Sequence, residues 1–508
     1  MNYKFILKLL VSICFFLMLF SCKQTEKSTF PNPEIKAGIA KVSGKIINFS
    51  LKEGEKEPVI NLRVSGPVTA EQYIFESNVD KNGNFYFEVP IECSTISPLG
   101  FPGNQAVMIK LSSTEEIKIE LKLDNSNKLT LVNITGQSFF TNDDMMNYTV
   151  AIFRYSTFDK LSTFPPNFCE MKPEEFSRYQ MDVIMPARIK YALENVKFSD
   201  SGKNFILNDL RFMHLGGYIL DYKARLEQLC NNKENGLYKE PDIQYYSFLK
   251  SFDLNNPLNL YNNFFRGVML SILTNKTFNI PPISDAPTEE WLVGVKAKLS
   301  NLVGFDSGQF YDLLAANAYS QQFKYEINPL SEKQIRNIKD YFKDEKEEIA
   351  KILLRRNDEI INLAKYKEPL VVNETPSVRK EDLMSAIISK YKGKTVVVDF
   401  WATWCGPCLE AMKQYREVKG ELKNKNIVFV YLTNSSSPKK LWEETIKGIG
   451  GEHYYLNKEE WENISYSEKY GFEGIPTYII FDTKGELIHK FSGYPGNAEI
   501  LRKIKELL

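Results

Sequence analysis

Residues 399–412 read DFWATWCGPCLEAM, and their spacing organises the C-terminal part of the chain. The preceding run, KTVVVDFW, has the apolar continuity of a strand buried on both faces. After Cys405 the apolar positions Leu409, Met412, Tyr415, Val418 and Leu422 recur every three or four residues, which predicts a helix. Cys405 therefore falls at a strand-to-helix corner and Cys408 one turn into the helix. Gly406 and Pro407 suit that corner, because proline is tolerated in the first helical turn. Two of the chain's seven cysteines this close together form either half of a metal site or a redox pair.

The surroundings disfavour a metal. Cys93, Cys169 and Cys230 lie far away in sequence, and His453 and His489 have no ligand spacing. Peroxidase chemistry would need a threonine three residues before Cys405, where Ala402 stands, and a proline upstream that is missing. No metal and no cofactor are expected.

Downstream, strands are predicted at NIVFVYLT, PTYIIFD and ELIHKFSG, and a last helix at NAEILRKIKELL. Between Thr433 and Pro476 come a helix around KLWEETIK, a strand HYYL and a helix around EEWENISYSEKYG. This order, with VDFWATWCGPC and GIPTYIIF, resembles the thioredoxin fold. The insert is similar to that of the TlpA-like and ResA-like thiol-disulfide oxidoreductases, exported and membrane-tethered proteins, and the resemblance covers residues 376–508. It implies that Cys405 attacks a substrate disulfide, that Cys408 resolves the intermediate to leave a Cys405–Cys408 disulfide, and that Asp399 is a buried acid accepting the Cys408 proton. It also implies a cis bond before Pro476, laying the Ile475 backbone beside the dithiol, with Trp404, Gly406 and Pro407 lining the substrate side. Physical chemistry points the same way: a free thiol is only about 3% ionised at pH 7, and the positive end of a helix favours the attacking thiolate. Gly-Pro between the thiols resembles reducing members, so disulfide reduction is expected.

The N-terminus bears on the compartment. Lys4 and Lys8 accompany an apolar run from Phe5 to Phe20, the layout of a secretory signal, and Leu9–Phe20 is too short to span a bilayer. Leu19-Phe20-Ser21-Cys22 resembles a bacterial lipobox, which implies removal of residues 1–21 and a lipid anchor on Cys22. Residues 22–37 are polar and read as a tether. The expected location is the cell envelope, lipid-anchored, facing the periplasm or in the outer membrane. Disulfide-bearing envelope proteins are the expected partners, together with the membrane electron donor that the resemblance implies. Nucleic acid is not, since Lys plus Arg equals Asp plus Glu at 64 each and leaves no basic excess.

The 508 residues exceed one ordinary core. Period-two runs across 38–136 predict an antiparallel β-sandwich, and three-and-four periodicity across 141–368 predicts an all-α domain, so the whole is a multidomain α+β chain. VDKNGNFYFEVP resembles the sandwich modules at the front of many Bacteroidota lipoproteins. Asp80, Asn82 and Asn84 read as a hairpin turn rather than a calcium loop, because Phe85 and Ile91 occupy the places needing glycine and glutamate. His214, among Leu210, Phe212 and Met213, reads as a core histidine, and Cys93, Cys169 and Cys230 as three buried thiols. The helical domain is expected to restrict which substrates reach Cys405. The rival reading is a binding or assembly lipoprotein that uses the thioredoxin-like domain as a docking platform.

Overall fold

The computed structural model describes residues 32–49, 58–101, 105–124, 129–136, 140–160, 164–230, 238–325, 328–364, 368–414 and 416–508. Cys22, the signal and most of the tether lie outside them. Among the described residues no helix is long and apolar enough to cross a membrane.

Eight strands open the fold: β1 (Ile35–Ile47), β2 (Val59–Ser65), β3 (Gln72–Asn78), β4 (Asn84–Cys93), β5 (Thr95–Phe101), β6 (Gln105–Leu111), β7 (Ile117–Leu123) and β8 (Leu129–Thr135). They form two four-stranded sheets, ordered β4-β1-β7-β8 and β3-β2-β5-β6. The expectation of a purely antiparallel sandwich needs correction, because β1 and β7 run parallel, Val42 facing Ile117. Alternation tells which face of a strand is buried and carries no information about direction. β1 also begins at Ile35, inside the stretch read as tether, and Ile35 pairs with Cys93. Asp80 closes the β3–β4 turn by accepting the amides of Asn82 and Asn84 at 2.9 and 2.7 Å.

Helices fill the chain from Asn142 to Ala364. The helix Asn142–Thr157 carries a capping box, Thr141 and Asp144 satisfying each other's backbone amides. It lays Met145, Tyr148, Ala151 and Tyr155 into the sandwich core, so the first two regions share apolar packing. In return the loop between β2 and β3 enters the helical core, where Val68 is fully buried. Asn317 donates to the carbonyls of Pro67 and Val68 at 2.8 and 2.9 Å. The Glu92 carboxylate accepts the Val68 amide at 2.7 Å and the Thr69 hydroxyl at 2.5 Å. Glu71 ion-pairs with Arg356 at 2.7 Å.

His214 is buried with Nδ1 2.8 Å from the Tyr155 hydroxyl, a core histidine. The expectation of three buried thiols fails for two of them. Cys169 and Cys230 form a disulfide with Cα atoms 5.9 Å apart, and Cys93 alone remains a buried thiol. Phe168 packs against Phe176, which meets Tyr222 edge-on, and this brings Cys169 to the end of the helix Tyr222–Leu229. Nothing in local sequence spacing announces that approach.

The last region is a six-stranded mixed sheet ordered β14-β13-β10-β11-β12-β9. Its strands are β9 (Leu370–Asn373), β10 (Thr395–Phe400), β11 (Ile427–Asn434), β12 (Gly451–Leu456), β13 (Thr477–Phe481) and β14 (Leu487–Ser492). β10, β11, β12 and β9 are mutually parallel, while β13 and β14 are antiparallel additions. β9 lies ahead of the expected start at 376. Odd-numbered Val397 and Trp401 face a core shared with Cys405, Cys408 and the helices Gly406–Gln414, Lys439–Ile449 and Asn497–Lys505. Even-numbered Val396, Val398 and Phe400 face a second core under the helices Leu383–Ser389 and Lys458–Ser465. Asp399 is odd and so projects from the cysteine-bearing face.

Candidate active site

Every residue of β10 is buried. The chain leaves that strand through Trp401 and Ala402 and turns at Cys405, whose amide donates to the Ala402 carbonyl at 3.0 Å. The helix Gly406–Gln414 starts at once. Cys405 and Cys408 are joined as a disulfide with Cα atoms 5.3 Å apart. The two sulfur positions are not equivalent. Cys405 is 4% exposed and Cys408 0%, so an incoming group meets Cys405 first. The Cys408 backbone amide donates to Cys405 Sγ at 3.2 Å. That is the bond an N-cap side chain accepts from the first turn, made here to sulfur, and in the reduced state it would favour a thiolate at Cys405.

Trp404 is 63% exposed beside this corner, its indole N–H donating to Ser436 Oγ at 2.9 Å. Ser437 Oγ accepts the Thr403 amide at 3.0 Å and lies 2.9 Å from the Thr433 hydroxyl. The loop after β11 thus fixes the turn that carries Cys405. Ile475 packs against the cysteine-bearing core, and its bond to Pro476 is cis. Pro476 leads directly into β13, whose Thr477 pairs with Phe400, so the Ile475–Pro476 segment and the Cys405 corner leave the same end of adjacent strands.

Asp399 is fully buried, and neither carboxylate oxygen has a hydrogen-bond partner. Tyr431 on β11 and Tyr478 on β13 flank it in register. Burial holds the Asp399 carboxyl well above its usual 3.8, against the opposing pull of the Lys419 ammonium. Lys419 is itself buried, its Nζ 2.6 Å from a Glu368 carboxylate oxygen and 3.2 Å from the Tyr431 hydroxyl. His453 stacks on Tyr431 with ring centres 4.8 Å apart, and burial lowers its pKa to about 3, so it stays neutral.

Sequence reasoning missed Lys419, Glu368, Ser436 and Ser437. Lys419 adjoins the apolar stripe at Val418, where a lysine ordinarily keeps its ammonium in water. Glu368 belongs to the connection preceding β9, and no periodic signal links it to Lys419.

The state of Asp399 sets a pH dependence. Unfolded, it loses its proton near 3.8; folded, only at higher pH. Between those values the folded protein holds the extra proton, and stability falls as pH rises. Asp399→Asn abolishes that slope, so the variant gains on the wild type progressively above about pH 4 and the gain levels off beyond the folded-state value. Urea unfolding across a pH series checks this, and parallel curves for the two proteins would contradict it.

Comparisons with known proteins concern the C-terminal region. Residues 372–505 match the family model described as Redoxin, a thioredoxin-like domain at the C-terminal end of the chain. Nucleoredoxin from Xenopus laevis is 30% identical over 149 residues, covering 27% of this chain and 30% of that protein. Thioredoxin Y1, chloroplastic, from Arabidopsis thaliana is 29% identical over 115 residues, covering 23% and 51%. This chain therefore spans less than a third of the nucleoredoxin it matches and about half of the chloroplast protein. Among solved structures, a thiol:disulfide interchange protein of the thioredoxin family from Chlorobium tepidum aligns at 24% identity over 23% of this chain and 83% of its own, with a TM-score of 0.21. The thioredoxin domain of a thiol-disulfide oxidoreductase from Bacteroides vulgatus aligns at 22% over 23% and 81%, with a TM-score of 0.20.

Proposed function

We propose that this protein is a lipid-anchored thiol-disulfide oxidoreductase that reduces disulfides in proteins of the cell envelope. The observation that carries the reading is the Cys408 amide directed at Cys405 Sγ from the first turn of the helix, with Cys408 itself fully buried. In the reduced enzyme the Cys405 thiolate attacks one sulfur of a substrate disulfide. A Cys405–substrate disulfide forms, and the departing substrate thiolate takes a proton from solvent. Cys408 gives its proton to the Asp399 carboxylate, directly or through water, and attacks Cys405 Sγ. The intramolecular disulfide forms and the second substrate thiolate leaves. Two electrons have passed to the substrate, so a membrane dithiol donor has to reduce the pair before the next cycle. The Ile475 backbone beside cis Pro476, together with Trp404, Gly406 and Pro407, offers an extended substrate segment its contacts.

The deciding measurement is reduction of a generic protein disulfide, such as insulin, by the full chain with a chemical reductant as donor. Turnover well above the reductant alone is expected, and none would favour a docking platform instead. The anchor is tested separately: Cys22→Ser should move the protein from the membrane fraction to the soluble envelope fraction, and retention in the membrane would refute the lipid attachment.

A further inference from the structure

A buried ammonium on the dithiol side takes no part in the steps above. Lys419 lies in the last turn of the helix Arg416–Glu421, next to Val418, a residue of the core that holds Cys405 and Cys408. Its side chain is 6% exposed, so the charge does not escape to water along its stem. A charge taken out of water needs partners, and Lys419 has the Glu368 carboxylate at 2.6 Å and the Tyr431 hydroxyl at 3.2 Å. Burial works against the ammonium, while Tyr431 and Glu368 outweigh it and hold its pKa above the usual 10.5.

Glu368 belongs to the connection between the helical and thioredoxin-like regions. That connection crosses the start of β12, where the Gly451 amide donates to the Pro369 carbonyl at 3.1 Å. Gly450 and Gly451 have φ of +67° and +88°. A Cβ at Gly450 would stand 2.3 Å from the Glu368 carbonyl oxygen, and one at Gly451 would stand 3.3 Å from its carboxylate and 3.0 Å from the Tyr431 ring. Two consecutive glycines thus leave the space through which Glu368 approaches Lys419. Tyr431 joins this pair to Asp399, its register partner on β10. Tyr478 flanks Asp399 from the other side, with Tyr494 packed on it at 5.8 Å. His453 stacks on Tyr431 and is neutral. The helices Lys439–Ile449 and Asn497–Lys505 bring Trp442, Ile446, Ile500 and Ile504 to the core that contains Cys408. Among the described residues, the charge acting on Asp399 is therefore that of Lys419.

We propose that Lys419 is a positioning residue for the resolving step: its ammonium keeps the Asp399 carboxylate available to take the Cys408 proton, and Glu368, supplied by the inter-domain connection, restrains that field. The inference rests on the disulfide-reductase reading above. In a poorly solvated interior a positive charge favours the carboxylate and a negative one opposes it. The placement of the connection then sets how readily the acid serves the dithiol.

The test follows release of the second substrate thiol in a single turnover of the reduced full chain with a disulfide-linked peptide pair, across a pH series. Release should rise with pH as Asp399 loses its proton. Lys419→Met should move the midpoint up by about one pH unit, and Glu368→Gln should move it down by about half a unit. Lys419→Arg keeps the charge and should stay near the wild type. Opposed signs separate an electrostatic role from a packing defect, which does not reverse with the sign of the charge removed. Glu368 is partly exposed, so Glu368→Gln carries the test even if Lys419→Met does not fold. An unmoved midpoint in either variant, shifts of the same sign, or Lys419→Arg displaced as far as Lys419→Met overturns the inference and leaves the reductase reading intact. No release of the second thiol from the wild type at any pH overturns that reading and the inference with it.

Discussion

Cys405→Ala should bring disulfide reduction to the level of the reductant alone, a loss of about 10³-fold or more, as expected when a nucleophile is removed outright. Cys408→Ala should fail differently. Its Cys405 still receives the amide of residue 408, because that donor is backbone, so the first attack proceeds. Among the described residues no thiol remains to resolve the product: Cys93 is buried, and Cys169 and Cys230 are bonded to each other. One equivalent of substrate thiol should appear in a burst, followed by a stalled mixed disulfide visible on a non-reducing gel. Cys408→Ser should behave alike and retain partners for identification. A burst from Cys405→Ala, or equal residual turnover in the two alanine variants, would reverse or cancel the assigned roles.

Arg356→Met should destabilise the junction of the first two domains by about 3–5 kcal/mol, the cost of leaving a buried charge without its partner. The Glu71 side chain is fully buried against Arg356, whose Nη2 donates to Glu71 Oε1 at 3.0 Å. Methionine fills part of the arginine volume and supplies no charge. The double variant Glu71→Gln with Arg356→Met removes both ions and should recover much of the loss. Urea unfolding measures both, and a single variant within 1 kcal/mol of the wild type, as an order-of-magnitude threshold, would mean that the pair carries no such burden.

The dithiol corner was legible because it is local. A buried run, two cysteines, a proline one residue before the second and a three-and-four stripe define strand, turn and helix without reference to distant residues. The burial of Asp399 was implied by the thioredoxin resemblance, and the carboxyl is fully buried. Longer-range features were not legible. β9 is four residues long and follows Pro369, too little for a period to show. The parallel pairing of β1 with β7 depends on where the chain returns. Cys169 and Cys230 stand 61 residues apart, and aromatic packing joins them.

The loop between β2 and β3 also constrains the order of events during synthesis. Val68 and Glu71 emerge early, yet the groups that receive them, Asn317 and Arg356, follow 249 and 285 residues later. The sandwich therefore cannot reach its final form as the leading end of a nascent chain; its docking loop stays open until nearly all of the helical region has been made. Contacts of such separation are slow to close and leave apolar surface exposed meanwhile. A chain exported as it elongates would need that surface shielded, and the thioredoxin-like region that follows would fold onto a junction that has only just closed.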